Sequence, residues 1–507
     1  MRDEQLSNLE NERRVRLEKA RTLRERGENP YQAHAHRDMT LGELASQLDA
    51  LQEQSEYVGE RLTLTGRLKS IRLGGKIGFA PLEDESNTVG FQAVFKKDIL
   101  PEEEGDALSF ADFKHLVDTG DYVQVTGEIG FSKRGEASIF VEEFHVLTKA
   151  LRALPENIED PEQRYRYRYL EMKLNPQVRD MFQRKSRFWE AGRQFLIEQG
   201  FLEVQTPTLE HTTGGAEAHP FSTYHEALEE NFYLRISSEL YLKRYVVGGF
   251  EKVFDVDKNF RNEGIDSEHL QEYTALEFYW CYASHEELMD FAEALIKHVI
   301  EHTYSTLQLT HGEHVIDWSQ AWPRMTYEEF LKTYGGIDLG EYATFEALQN
   351  LAQGYGFDLE AYPNYGRLLD GLYKKLARPH CIEPVWLTEH PVEISPLAKR
   401  NPDDPSKTLR SQLIAYGSEL TNGFSELNDP VEQLRRFKEQ QTLRDEGDEE
   451  AMMLDYDFVR ALEYGMPPTV GFGVSERLFS VLEGQSIRET APFPMMKRKE
   501  EDFTEMV

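Results

Sequence analysis

The stretch FRNEGIDSEHLQEYTALEFYW, residues 260–280, decides how the chain is read. It is preceded by VFDVDKNF, which has the alternation of a strand, and its second half, EYTALEFYW, has it again. The two predict an antiparallel hairpin with a long loop, residues 264–271, between its arms. Arg261 stands at the turn end of the first arm, where its planar guanidinium can grip a carboxylate or phosphoryl group with two prongs. Glu263, two residues on, is expected on the same side if the strand extends that far, and His269 is expected in the loop, where far phosphates of a nucleotide can meet it. Glu277 and Tyr279 share a face by the period of two. A salt-bridged surface hairpin accounts for the same charges equally well, so this stretch alone leaves both readings open.

Other segments point at the same chemistry. Gly214 and Gly215 in HTTGGAEAHPF let backbone approach a small ligand closely. Glu239 precedes a Lys243/Arg244 pair in SELYLKRYVVGGFEK. Glu419, Asn422, Phe424 and Glu426 lie in YGSELTNGFSELNDP, where Glu419 and Glu426 can line one site only if the chain bends between them. Arg477 follows a Gly-rich stretch at an expected helix start, where an arginine can contact a nucleotide. Each segment by itself is also readable as an ordinary turn or a solvated charge.

The chain of 507 residues exceeds one ordinary core, so two or more domains are expected. Hydrophobic content of 39% and charged content of 29% suit a folded protein rather than a disordered one. No apolar run is long enough for a transmembrane helix, and the start, MRDEQLSNLENERRV, lacks a signal-like apolar segment, so a cytoplasmic protein is expected. Two cysteines, Cys281 and Cys381, make no disulfide framework. The formal net charge of −34 repels nucleic acid at long range, although a local basic patch can prevail at contact.

Along the chain, residues 1–56 read as a helical extension whose helix, residues 10–27, is rich in arginine and stops at Gly27. That helix is either a solvated face or a phosphate contact. Residues 57–150 read as about five short strands broken by Gly-rich turns, an all-β barrel of the oligonucleotide-binding (OB) kind. Phe79, Phe91 and Gln92 are expected near one barrel face, where aromatic rings either stack on bases or fill the core. Residues 151–175 read as a linker. Residues 176–507 begin with a long amphipathic helix ending at Gly200, in which Met181/Phe182, Phe188/Trp189 and Phe195/Leu196 recur every seven residues. A strand ending near Pro207 follows, then FYLRI and the hairpin. No glycine-rich phosphate turn of the βαβ kind is present, so nucleotide binding is expected on an antiparallel sheet with an inserted helical segment, an α+β fold.

FRNEGI…EYTALEFY resembles the second signature motif of the class II aminoacyl-tRNA synthetases. GGAEAHPFSTYH, YLRISSELYLKRYVVGGFEKVF and ELTNGFSELNDPVEQ resemble the lysyl-tRNA synthetase branch, and the likeness covers nearly the whole chain. It implies an antiparallel-sheet catalytic domain, an anticodon-binding barrel, and a homodimer formed largely through the long helix and the strand after it. It implies ATP as substrate, with Arg261 on the α-phosphate and substrate carboxylate, Glu263 on the adenine side, His269 on the terminal-phosphate side, Tyr273 stacking on adenine and Arg477 on the γ-phosphate. Glu419 is implied as a ligand of Mg2+. A buried lysine ammonium needs carboxylates and hydrogen-bond acceptors. Glu239, Glu277, Tyr279, Asn422, Phe424 and Glu426 supply them, with Gly215 near the α-amino end. Arg67, Phe79, Gln92 and Glu143 fall where the family reads anticodon bases, which favours stacking for Phe79.

Three departures from the family pattern stand out. Gln412 occupies the place of a second metal-binding glutamate, and a weaker Mg2+ site is expected. The hairpin loop reads Glu268-His269-Leu270-Gln271 where Arg-His-Asn-Pro is usual. The last motif, GFGVSER, is one residue short, though Arg477 remains. The implied reaction is ATP-dependent attachment of L-lysine to lysine tRNA through lysyl-adenylate. The rivals are a paralogue that passes lysine to a protein or other acceptor, and a non-catalytic tRNA-binding protein.

Overall fold

The computed structural model describes residues 2–51, 54–102, 107–264, 266, 269–362, 364–446 and 451–498. Glu268 and residues 103–106 of the acidic loop fall outside them. The chain forms two compact units, residues 1–159 and 160–507.

In the first unit, the strands Arg61–Leu68, Ile77–Glu83, Phe91–Lys96, Tyr122–Phe131 and Ala137–Thr148 form one sheet, and pairing of Arg67 with Glu83 closes it into a barrel. Closure removes the free edges that five short strands would otherwise expose. Alternation decides which side chains face inward: Leu64, Leu68, Val123, Val125, Ile139 and Val141 fill the core, where the Phe95 and Phe113 rings stack 3.8 Å apart. Phe91 belongs to that core, so it is not part of a stacking face. Phe79 points the other way and is half-buried.

The N-terminal helix is longer than expected, Arg2–Glu25, and Gly27 stops it with a positive φ of 81°. Part of its basic face serves neither expected purpose. Arg16 donates to the carbonyls of Thr119 and Ala150 at 3.1 and 3.0 Å, and Lys19 pairs with Asp118 at 2.6 Å. Those cations fasten the helix to the barrel.

The second unit is built on a nine-stranded, mainly antiparallel sheet. Its central strands run in the order Arg410–Ala415, Thr421–Ser425, Thr469–Ser475, Glu272–Cys281, Lys252–Phe260. The hairpin lies toward one side of the sheet, with only Leu202–Glu203 beyond it, and all nine pairs from Lys252↔Trp280 to Phe260↔Glu272 are in register. One sheet face is covered by the helices Pro176–Glu198 and His285–Tyr304, which bury Met181, Phe188, Leu196, Leu295, Ile296 and Val299 against Phe278 and Phe472. Helices Tyr327–Gly335, Phe345–Gly354 and Tyr365–Leu372 form a separate apolar cluster in the inserted segment.

Residues 161–166 and 168–174, read as linker, are short helices of the second unit. The strand expected to end near Pro207 shrinks to Leu202–Glu203, since the Thr-Pro-Thr that follows lacks a ladder donor at its proline.

Candidate active site

A cavity of about 380 Å3 lies over the other face of the central strands. Register across the sheet explains its lining. Arg410 pairs with Phe424, Phe424 with Gly471, and Gly471 with Tyr279. Two residues along, Asn422 pairs with Gly473 and Gly473 with Glu277. Side chains of one register row point to the same face, so these two rows make a floor from four strands. The glycines keep the floor low. A Cβ at Gly471 would lie 2.1 Å from Glu426 Oε1 and 2.5 Å from the Tyr279 ring, a clash that no neighbour can relieve cheaply.

One end of the cavity is acidic. Helix Glu239–Val247 places Glu239 in its first turn and Lys243 one turn later. Lys243, fully buried, pairs with Glu239 at 2.6 Å and also with Glu426, and its ammonium lies 5.7 Å from the Phe424 ring centre. Burial pushes the Glu239 and Glu426 carboxyls up, against the pull of Lys243. Burial disfavours the charge of Lys243 too, but its two glutamate partners outweigh this and hold its pKa above the usual lysine value. Glu426 Oε1 remains buried without a hydrogen-bond donor. Glu277 accepts from Ser237 Oγ at 3.2 Å, and burial followed by the charge of Glu239 pushes its carboxyl up to about 7. Gly215 has a φ of 86°, and a Cβ there would come within 2.8 Å of Ser237 Oγ, so glycine is needed on both counts.

The other end is basic. The first arm stops at Phe260, so Arg261 and Glu263 are held by the loop rather than by strand alternation, yet both line the cavity. The Arg261 backbone donates to Gln271 O at 2.9 Å, its guanidinium lies 5.3 Å from the Tyr273 ring centre, and its buried Nε has no hydrogen-bond partner. Gln271 gives the loop departure a structural purpose: its amide donates to Gly264 O at 3.0 Å and ties the loop's two limbs together. His269 is half-buried and paired with Asp266 at 2.8 Å. In the shortened last motif, Ser475 caps the helix Glu476–Leu482, and Glu476 is pinned by Lys185 at 2.8 Å and by the Thr274 amide at 3.0 Å. Arg477 Nη1 reaches Glu419 O at 3.4 Å.

Glu419 itself sits among cations. Burial disfavours its charge, but Lys374, Arg378, Arg477 and Arg410 hold the carboxyl below its ordinary value. Gln412 donates to Glu419 Oε2 at 3.3 Å, and its carbonyl oxygen lies 2.9 Å from Nε2 of the buried His390. Burial, and then the charge of Arg410, hold His390 well below the ordinary histidine value, so the ring is neutral and Nε2–H donates to that oxygen.

All the expected catalytic-unit residues thus meet at one cavity: Gly215, Glu239, Arg261, Glu263, His269, Tyr273, Glu277, Tyr279, Gln412, Glu419, Asn422, Phe424, Glu426 and Arg477. The chain does bend between Glu419 and Glu426, at the junction of Ser418–Glu419 with Thr421–Ser425. Ser237, Lys243 and Arg410 were missed. Lys243 had a legible signal, four residues after Glu239 on one helix face. In the barrel, Gln92 is buried and stands opposite Pro81, two residues along the strand pair from Phe79 opposite Val94. Arg67 donates to Gly120 O at 2.9 Å, and exposed Glu143 pairs with His145 at 3.2 Å.

Comparison with known proteins agrees with this geometry. Residues 160–497 match the family described as tRNA synthetases class II (D, K and N), and residues 62–147 match the OB-fold nucleic acid binding domain. The lysine–tRNA ligase of Thermotoga maritima is 43% identical over 489 residues, covering 96% of this chain and 95% of the relative. Those of Halalkalibacterium halodurans and a Roseiflexus species are each 39% identical, over 497 and 502 residues, covering 97% and 98% of this chain and 98% and 100% of the relatives. With a hairpin carrying Arg261 and Glu277, an acid-lined pocket beside it and relatives matched over nearly their whole length, the chain belongs to the class II lysyl-tRNA synthetases.

Proposed function

We propose that the chain joins L-lysine to lysine tRNA in two steps, forming lysyl-adenylate from lysine and ATP and then passing the lysyl group to the tRNA's terminal ribose. The observation that carries the choice of amino acid is the acidic end of the cavity. Glu426 Oε1 is buried and lacks a donor, and a lysine ε-ammonium beside Glu239, Glu426 and Tyr279 supplies one. Glu277 then takes the α-ammonium, near Gly215 and Ser237, with Asn422 and Phe424 as the floor. Aspartate is repelled by the same three carboxylates.

In the first step the lysine carboxylate attacks the α-phosphorus and pyrophosphate leaves. Arg261, whose Nε lacks a partner, takes the carboxylate and the α-phosphoryl oxygens as charge shifts between them. Tyr273 stacks on the adenine, Glu263 accepts from it, and His269 and Arg477 meet the outer phosphates. No side chain is needed as nucleophile or base.

Magnesium enters this reading through ATP. The protein groups do not fit a site built from paired carboxylates: the Gln412 carbonyl is engaged by His390, its amide faces Glu419, and no group of three or more His, Cys, Asp or Glu side chains suited to a metal converges among the described residues. The ion is assigned to the nucleotide, with Glu419 as the one carboxylate able to touch it.

The OB barrel favours tRNA over a protein as acceptor, with Arg67, Phe79, Gln92 and Glu143 as its anticodon-reading residues. Homodimerisation is proposed through the long helix and the strand after it, where Ile197 and Leu202 are 53% and 49% exposed, and light scattering of the purified protein tests it. No helix among the described residues is long and apolar enough to cross a membrane, and the cytoplasm is the proposed location. The test of function is ATP–pyrophosphate exchange with lysine, ornithine, arginine and aspartate in parallel, followed by aminoacylation of lysine tRNA. Exchange driven by lysine and charging of that tRNA are expected. Exchange driven by another of the four amino acids, or by none, overturns the proposal.

A further inference from the structure

We propose that Lys243 is a positioning residue for the choice of amino acid: its ammonium clamps Glu239 and Glu426 from behind, so that Glu426 Oε1 stands at a fixed depth that a lysine side chain reaches and an ornithine side chain does not. The inference rests on the lysine-binding reading above and deepens it. Glu239, Phe424 and Glu426 line the cavity, whereas Lys243 lies behind that lining. It stands one turn after Glu239 on the same helix, fully buried, and pairs with Glu239 Oε1 at 2.6 Å and with Glu426 Oε2. Its ammonium also lies 5.7 and 5.9 Å from the Phe424 and Phe458 ring centres. Leu240, Leu242 and Val246 pack the helix into the apolar cluster that contains both rings, so the cation has no room to withdraw.

One oxygen of Glu426 is thus taken and the other is left. Oε1 is buried without a donor, and it lies over Gly471, 2.1 Å from where a Cβ would stand. Glu277, which takes the α-ammonium, is paired in register with Gly473. Gly471 and Gly473 are two residues apart on the strand Thr469–Ser475, a step of about 6.6 Å. From standard bond lengths an extended lysine side chain spans about 6.3 Å and covers that step, while ornithine falls short by about 1.3 Å. A hydrogen bond of about 2.8 Å then opens to about 4 Å, which is no bond, and the gap is too narrow for a bridging water. Glu426 can follow the shorter chain only by leaving Lys243, which strands a buried charge. Apolar packing stabilises a core as well as a buried ion triad does, and a fixed acceptor is what the triad adds.

The test is calorimetric binding of lysine to the full-length protein, alone and in competition with ornithine or norleucine, in the wild type and in Lys243→Met. Norleucine carries a methyl group where ornithine carries its side-chain ammonium. In the wild type ornithine is expected to bind no better than norleucine, because its ammonium loses water and meets no acceptor. Tighter binding of ornithine than of norleucine shows that the acceptors follow the ligand, and overturns the proposal whether or not the variant folds. In Lys243→Met the glutamates lose their anchor, and the preference for lysine over ornithine is expected to fall by about tenfold, the scale on which one methylene is discriminated, with norleucine affinity unchanged. An unaltered preference overturns the proposal, as does a parallel loss of all three ligands, the mark of a structural role. Lysine-dependent exchange is scored separately: the expected binding order without exchange sinks the ligase reading alone, and exchange with ornithine bound more tightly than norleucine sinks this inference alone.

Discussion

The two ends of the cavity solve opposite charge problems with the same materials. At the amino-acid end three glutamates face one lysine, and Lys243 is sealed behind them. At the triphosphate end Glu419 lies among cations, with Arg378 at 3.5 Å and Arg477 reaching its backbone carbonyl at 3.4 Å, while Arg261 and Arg410 line the same cavity. Each end is left with a surplus of the sign its ligand lacks. Buried charges of one sign are costly, so each surplus is partly cancelled from behind: Lys243 at one end, Glu419 at the other. The difference teaches that a protein with a formal net charge of −34 reads its substrates through local imbalance, not through its overall charge.

The comparison breaks most visibly if the internal counter-ion is removed. Lys243→Met leaves two buried carboxylates facing each other, and stability is expected to fall by about 3–5 kcal/mol, the scale for stranding a buried charge. Urea unfolding checks this, and an unchanged midpoint would show that Lys243 does not hold the acidic end together. Arg261→Ala removes the donor placed between the two ends. Lysine-dependent exchange is expected to slow by roughly 10^2 or more, the effect of losing a transition-state donor. A rate near that of the parent takes Arg261 out of that role.

A gentler perturbation is pH. Glu277, with its carboxyl pushed up to about 7, is ionised above that pH and neutral below it. Only the ionised form attracts the α-ammonium, so KM for lysine is expected to rise as pH falls from 8 to 6, by up to about tenfold per unit below 7. Glu277→Gln should flatten that part of the profile. The same raised value has the opposite sign for stability: the folded state holds the proton more tightly, so the contribution of Glu277 is greatest below its ordinary value and is lost as pH rises through about 7. The smallest change sharpens the triphosphate end. Gln412→Glu adds an anionic oxygen beside Glu419, and the Mg2+ concentration for half-maximal exchange is expected to fall, with a maximal rate within about twofold. An unaltered Mg2+ requirement would show that position 412 does not bear on the metal.

What the sequence by itself determined was whatever has a short period or a local chemistry. Alternation over ten residues placed Glu277 and Tyr279 on one face, and short alternating runs predicted the barrel. The heptad-spaced apolar pairs marked the helix Pro176–Glu198, and the motifs around Arg261 and Arg477 named the chemistry. Only the tertiary structure decided which of those groups face one another. Glu426 meets Lys243 because one lies after a central strand and the other on a covering helix, and no periodicity encodes that pairing. Gly471 is a glycine because register puts it opposite Tyr279 and under Glu426. Arg16 reads as a surface charge until the barrel carbonyls of Thr119 and Ala150 take it. Arg378 looks like an ordinary surface cation until the inserted segment carries it to Glu419. The physical reason is common to all four. Side-chain direction along one element follows from backbone geometry within a few residues, whereas the balance of charge in a buried site is a sum over elements that meet only when the chain has folded.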